Sequence, residues 1–184
     1  MGIGTDYLSV YGAWEVFRKG KKPTTSIDNF FYYLEENVTG LSREISDKTY
    51  KHGDYTAVVL QEKKRRDLAV ASVRDRVVHR LLYDYLIDVF DKSFDPDVWS
   101  CRTGKSLHKC LIRTGKLLRK HSGSYIWRAD ITKFFDNVQH GTLLECLARK
   151  ISKDDQAMWL STEVISSYNI KPASQPATVF LLAT

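Results

Sequence analysis

The sequence predicts an α+β fold within the broad α/β class, rich in helix and carrying a small antiparallel sheet. Three observations lead there. Apolar residues recur at three- and four-residue steps over Ile27, Phe30, Phe31, Leu34, Val38, Leu41 and Ile45, and again over Val73, Val77, Leu81, Leu82, Leu86, Val89 and Phe90, which is the spacing of one helix face. Between them, Thr56-Ala-Val-Val-Leu60 and Leu68-Ala-Val-Ala-Ser72 flank a short polar tip, the pattern of a β-hairpin. Further on, Tyr125 to Ile131 alternates in facing and is mostly β-branched or aromatic. That predicts a half-buried strand ending on Asp130.

In chain order, residues 5–18 carry apolar side chains at near-helical spacing, and Arg18-Lys-Gly-Lys-Lys22 then breaks the pattern as a basic loop before Pro23. Ser26 is placed as N-cap of one helix running through Ile45. Thr49 to Tyr55 reads as a turn. The hairpin tip is Gln61-Glu-Lys-Lys64-Arg65-Arg66-Asp67. Four consecutive cations repel one another, so the tip either waits for an anion or keeps an exposed sheet edge soluble. The helix from Val73 to Phe90 presents Arg74, Arg76 and Arg80 away from its apolar side. Asp75, between two arginines, either orders their guanidinium forks for phosphate or makes plain intrahelical ion pairs.

Asp95-Pro-Asp97 ends that helical region. Gly104 and Lys105 precede a helix capped by Ser106, which joins free backbone N–H groups to cations as an anion site. The glycine spacing is not that of a P-loop. Leu107, Cys110, Leu111, Leu117 and Leu118 predict a buried face for this helix. After Asp130 the chain turns through Phe135, with Asp136 as the expected N-cap and His140 as a first-turn residue of a helix striped by Leu143, Leu144, Leu147 and Ile151. Asp154 to Tyr168 predicts a last helix.

With 184 residues, 43% of them apolar and 12% aromatic, the chain has material for one domain or two small ones and is not intrinsically disordered. The net charge of +6 is unevenly spread. From Val98 through Ala129 there is no acidic residue, whereas Arg102, Lys105, Lys109, Arg113, Lys116, Arg119, Lys120 and Arg128 supply eight cations. Nothing acidic nearby is expected to offset their repulsion, which favours a polyanionic partner such as nucleic acid. Cys101, Cys110 and Cys146 lack metal-ligand spacing and point to reduced thiols in the cytoplasm. The first residues have neither the basic nor the apolar region of a signal peptide. No apolar run approaches the roughly 18 residues that cross a membrane.

The string Asp130-Ile-Thr-Lys-Phe-Phe135-Asp136-Asn-Val-Gln-His140 resembles the first palm motif of bacterial reverse transcriptases of the retron and group II intron kind, diversity-generating elements included. Two upstream strings resemble the fingers motifs of that family, in the same order. They are Arg74-Asp-Arg76-Val-Val-His79 and Val98-Trp99-Ser-Cys-Arg102-Thr-Gly-Lys105-Ser106-Leu-His108, the latter departing from the usual pattern at Trp99 and Ser106. The resemblance covers roughly residues 12–170.

It implies a right-hand polymerase fold, with a helical leader at 1–54, fingers at 55–122, the start of a palm at 123–170 and an aberrant, unstructured tail at 171–184. It implies magnesium as cofactor, held by Asp130 and the carbonyl of Ile131. Lys64 and Arg66 would clamp the triphosphate of a deoxynucleotide, and Phe135 would lie under its sugar and exclude a 2′-hydroxyl. Arg74, Arg76, Arg102, Lys105 and Lys109 would contact an RNA template and DNA primer.

The family continues with Gly-Leu-Pro-Leu-Gly-Asn-Leu-Thr-Ser-Gln and a hairpin bearing Tyr-x-Asp-Asp, and neither is present. Val179-Phe-Leu-Leu-Ala-Thr184 and a stop can be encoded by GGTCTTCCTCTTGGCAACCTGA, whose first frame gives Gly-Leu-Pro-Leu-Gly-Asn-Leu. The expectation is therefore a frameshifted or prematurely ended reverse transcriptase that does not polymerise alone. The alternatives are a non-catalytic RNA- or DNA-binding module, and one half of a split enzyme completed by a second chain or working with a cognate structured RNA.

Overall fold

The computed structural model describes residues 2–61, 65–131 and 134–168, with backbone alone at 65–67 and 135–136. Among these the fold is helical, with a single two-stranded antiparallel sheet. Helix α1 (Tyr7–Arg18) is capped by Asp6, whose carboxylate accepts from Ser9 N–H at 3.1 Å. It turns Val10, Ala13, Trp14 and Phe17 inward. The single helix expected over 27–45 is instead two, α2 (Thr25–Tyr32) and α3 (Leu34–Ser46), and the cap of α2 is Thr24, not Ser26. The break falls at Tyr33, the last of four aromatic residues in a row, whose φ of −105° and ψ of 34° leave the helical region. Aromatic side chains lose rotamer freedom in a helix, and here Phe30 turns to Trp14 at 4.7 Å while Val38, Leu41 and Ile45 bury a separate face. Asn37 Nδ2 donates to the Phe30 carbonyl at 3.0 Å, which satisfies an acceptor freed by the break.

The expected hairpin forms with shifted bounds: residues 65–67, read as part of the tip, belong to the second strand, and Ala71 and Ser72 lie beyond it. Strand β1 (Thr56–Gln61) pairs with β2 (Arg65–Val70) in the register Thr56 with Val70 through Gln61 with Arg65. Every residue of β1 is exposed, so it stands out from the core. Ser72 then caps α4 (Val73–Phe90), its oxygen accepting from Asp75 N–H at 3.1 Å. A 3₁₀ turn at Asp91–Ser93 leads away from the core.

Helix α5 (Leu107–Lys120) is capped by Ser106 as expected, but none of its residues is buried. Leu107, Leu111, Ile112 and Leu118 are 77%, 61%, 48% and 49% exposed. The expected burial of its apolar side thus does not occur among the described residues. The strand expected at Tyr125–Ile131 is likewise replaced by exposed, irregular backbone, with Tyr125 and Trp127 at 104% and 88% exposure. A strand needs a neighbour to satisfy its backbone groups, and the described sheet holds only β1 and β2.

A short α6 (Phe134–Asn137) contains the backbone of Asp136, and α7 (His140–Ile151) opens on His140. Asp136 is therefore not the cap of α7; Gln139 takes that place, without a side-chain hydrogen bond. Helix α8 (Asp155–Ser167) is capped by Asp154, which accepts from Ala157 N–H at 3.0 Å and from Ile3 N–H at 2.7 Å.

One apolar cluster joins these helices, from Val10, Trp14 and Phe17 through Val38, Leu41 and Ile45 to Val77, Val78, Leu82, Ile151 and Leu160. The aberrant tail expected at 171–184 lies outside the described residues. No described helix is long and apolar enough to cross a membrane.

Candidate nucleic-acid interface

The cations the sequence singles out divide into those held by the protein and those left to solvent. Arg102 belongs to the first group. Its guanidinium donates to the Asp91 carboxylate at 2.7 and 3.2 Å, to the Asp91 carbonyl at 2.9 Å, and to the carbonyls of Asp95 and Val98 at 3.0 and 3.3 Å. Only 11% of that side chain is exposed. Such a fork fixes a loop, because each donor is matched to an acceptor in place. The ion pair holds the Asp91 carboxyl below its ordinary range, the hydrogen bond from Arg102 being the main cause.

The neighbouring cations follow suit. Arg113 grips Asp97 with both Nε and Nη2 at 2.9 Å. Lys105 bonds the Pro96 carbonyl and lies 4.3 Å over the Trp99 ring, and Lys109 donates to the Gly104 carbonyl at 2.8 Å. The expectation that nothing acidic offsets the cations of 98–129 is corrected here. Asp91 and Asp97, just upstream, neutralise two of them. Lys116, Arg119, Lys120 and Arg128 have no partner among the described residues.

The Arg74-Asp75-Arg76 string is divided by the core. Asp75 does not spread guanidinium forks; it is 1% exposed and accepts from the Tyr50 and Ser72 hydroxyls, each at 2.7 Å. Burial pushes its carboxyl up, but these hydrogen bonds outweigh that and hold it below the ordinary range. Burial, then Asp75, pushes the Tyr50 hydroxyl far up, so it stays a donor. Arg74 turns to the Glu44 carboxylate and lies 5.0 Å over the Tyr50 ring. Arg76 goes the other way, 5.2 Å over Phe17. It has no carboxylate partner among the described residues, and burial lowers its pKa.

Lys21, from the basic loop, lies 4.7 Å over the same Phe17 ring. Burial and then the nearby Arg76 and Arg80 lower its pKa, the sign of cations crowded without a counter-charge. Arg80 is relieved by Asp84 at 2.6 Å. Arg76 also borders a cavity of about 650 Å³ at the base of the hairpin, lined in addition by Asn29, Phe30, Tyr33, Asn37 and Thr56.

Sequence reasoning passed over a third arrangement. Tyr50, taken as part of a turn, is wholly buried. Next to it, His52 and His79 meet Nε2 to Nε2 at 2.9 Å, and His52 Nδ1 donates to the Gly53 carbonyl at 2.6 Å. Burial pushes His79 down to about 4, with His52 adding to it. Glu163 of α8 accepts from His52 N–H at 3.3 Å and from Lys51 at 3.2 Å. The loop before the hairpin is thus bound to α4 and α8. No local pattern announces this, because the partners lie between 25 and 112 positions apart.

Asp130 is exposed, and the Ile131 side chain beside it is 67% exposed. Magnesium, implied by the resemblance, can be tested against the donors present. No group of three or more His, Cys, Asp or Glu able to hold a metal forms among the described residues. A hard dication needs several oxygen ligands, and one carboxylate neither balances nor positions a pair of them. The described residues therefore do not fit a polymerase metal centre. Lys64 lies outside the described residues, as do the side chains of Arg66 and Phe135, whose backbones fall in β2 and α6.

No family model matches the chain. Protein YkfC of Escherichia coli (strain K12) is 29% identical over 111 residues, which cover 58% of this chain and 29% of that protein. The chain thus spans less than a third of the length of this relative.

Proposed function

We propose that this chain is the fingers and first palm segment of a reverse transcriptase of the retron and group II intron kind. Its role is to hold an RNA template and a DNA primer rather than to transfer nucleotides by itself. The observation that carries the reading is the ordered set of three motif strings, at 74–79, 98–108 and 130–140. The cations left unpartnered at Lys116, Arg119, Lys120 and Arg128 support it, since paired cations add little to phosphate binding.

In this reading the buried and paired members of the motifs, Asp75, Arg74 and Arg102, build the scaffold. Phosphate contact falls to Arg76 and to the open cations of α5 and the segment after it. Lys105 and Lys109 keep weaker bonds that a phosphate can displace. Lys64, Arg66 and Phe135 remain the proposed nucleotide contacts.

A second reading, a binding module with no catalytic duty, is favoured by the lack of a metal-binding group around Asp130 among the described residues. Primer extension on an RNA template with magnesium and deoxynucleotides separates the two when this chain, its Asp130→Asn variant and the frame-restored product are compared. Extension by the restored product alone is expected. Extension by the 184-residue chain that Asp130→Asn abolishes would overturn the claim that its donors are insufficient. No extension by any of the three, with template still bound, would favour the binding module.

A further inference from the structure

Helix α2 ends in three adjoining rings that the core does not use. Phe31, Tyr32 and Tyr33 are 53%, 78% and 51% exposed, although large apolar side chains gain most from burial. The break at Tyr33 gathers them, and the Tyr32 and Tyr33 rings meet edge to face at 4.7 Å. Arg18 lies 5.1 Å over the Phe31 ring. Tyr33 also lines the cavity at the hairpin base, together with Phe30, Asn29, Asn37 and Arg76. The aromatic surface is therefore continuous with a pocket that holds amides and an arginine without a carboxylate partner among the described residues. Lys21, from the basic loop, and Arg76, from α4, lie 4.7 and 5.2 Å from the centre of the Phe17 ring. Glu35 and Glu36 lie in the first turn of α3, where the helix N-terminus balances them.

We propose that Tyr32, Tyr33 and the adjoining cavity bind an unpaired stretch of nucleic acid, whose bases stack on the rings while Lys21 and Arg76 meet its phosphates. This rests on the nucleic-acid reading above and adds a site to it. The chemistry selects the ligand. Stacking on aromatic rings takes any base, and cations without counter-charges take the backbone. A purely apolar partner would leave Lys21 and Arg76 without a counter-charge, and a duplex has no free base faces to stack.

The test uses the full chain and a fluorescent RNA–DNA hybrid, either blunt or carrying a short adenine-rich single-stranded RNA extension, with binding followed by anisotropy. The extension is expected to tighten binding about tenfold, in keeping with the known worth of base–aromatic stacking. Tyr32→Ala with Tyr33→Ala removes that gain and leaves blunt-hybrid binding unchanged, whereas the paired Tyr→Phe changes preserve it. Lys21→Gln lowers the salt slope for the extended hybrid by about 0.7, the value for one single-strand phosphate. Blunt binding with no gain from the extension would overturn this site and leave the broader reading standing. An unchanged gain in the alanine variant would do the same. Loss of binding to anionic phospholipid vesicles in that variant, with the RNA gain intact, would reassign the rings to a lipid surface. Failure to bind either hybrid at low salt would remove both proposals together.

Discussion

The helical core and the 94–131 segment respond differently to the same kind of pattern. In the core, periodic apolar residues find one another, and Trp14, Val38, Ile45, Val77 and Leu160 have no exposed surface. In α5 the periodicity is at least as regular, yet Leu107 and Leu111 remain largely in solvent. The difference lies in partners. Helix α4 is covered by α1, α2, α7 and α8, whereas α5 makes no comparable contact with another described element. Amphipathic spacing states that a face can be buried; a second surface has to exist for that to happen. What holds 91–113 together is polar instead, the forks of Arg102 and Arg113 on Asp91 and Asp97.

This contrast can be broken or sharpened by substitution. The largest effect is expected at Trp14, where Trp14→Ala removes a fully buried ring beside Phe17 and Phe30. About 3–5 kcal/mol of stability is lost, read as a lower denaturant midpoint. Next is Tyr50→Phe, which deletes the 2.7 Å hydrogen bond to the buried Asp75. A cost of about 1–3 kcal/mol is expected, with faster hydrogen exchange at 49–55 and none at α5.

Acid supplies a third test. His79 is held near 4 in the folded state and returns to about 6.5 on unfolding, so the unfolded chain binds the extra proton. The stabilisation is complete above pH 6.5 and is lost as pH falls toward 4. At pH 5 the loss is about 1–2 kcal/mol relative to pH 7, and His79→Gln flattens melting temperature across that window. The smallest effect is expected at Leu111→Ala, within about 0.5 kcal/mol. A loss of several kcal/mol there would mean that α5 is covered after all.

Local signals were legible before the fold was known. The cap at Ser106 and the existence of the hairpin each depend on residues close in sequence. The segment at 125–131 was misread because its alternation presupposes a paired strand, and pairing is not written in the segment itself. Asp75 was misread for a related reason. Between two arginines it looks like a surface ion pair, and it does lie 3.8 Å from Arg74, but the hydroxyls of Ser72 and of Tyr50, 25 positions away, make it a core hydrogen-bond acceptor. Likewise, the absence of acids from 98–129 was true in sequence, but Asp91 and Asp97 reach back across the boundary in space.

The most direct measurement is the salt dependence of RNA–DNA hybrid binding by the full chain and by a Lys116→Gln, Arg119→Gln, Lys120→Gln variant. If the cations without partners carry the interface, wild-type affinity falls steeply with salt and the variant loses about 0.7–0.9 from the slope for each contact removed. An unchanged slope in the triple variant, or binding indifferent to salt, would contradict the assignment of this chain as a nucleic-acid-holding segment.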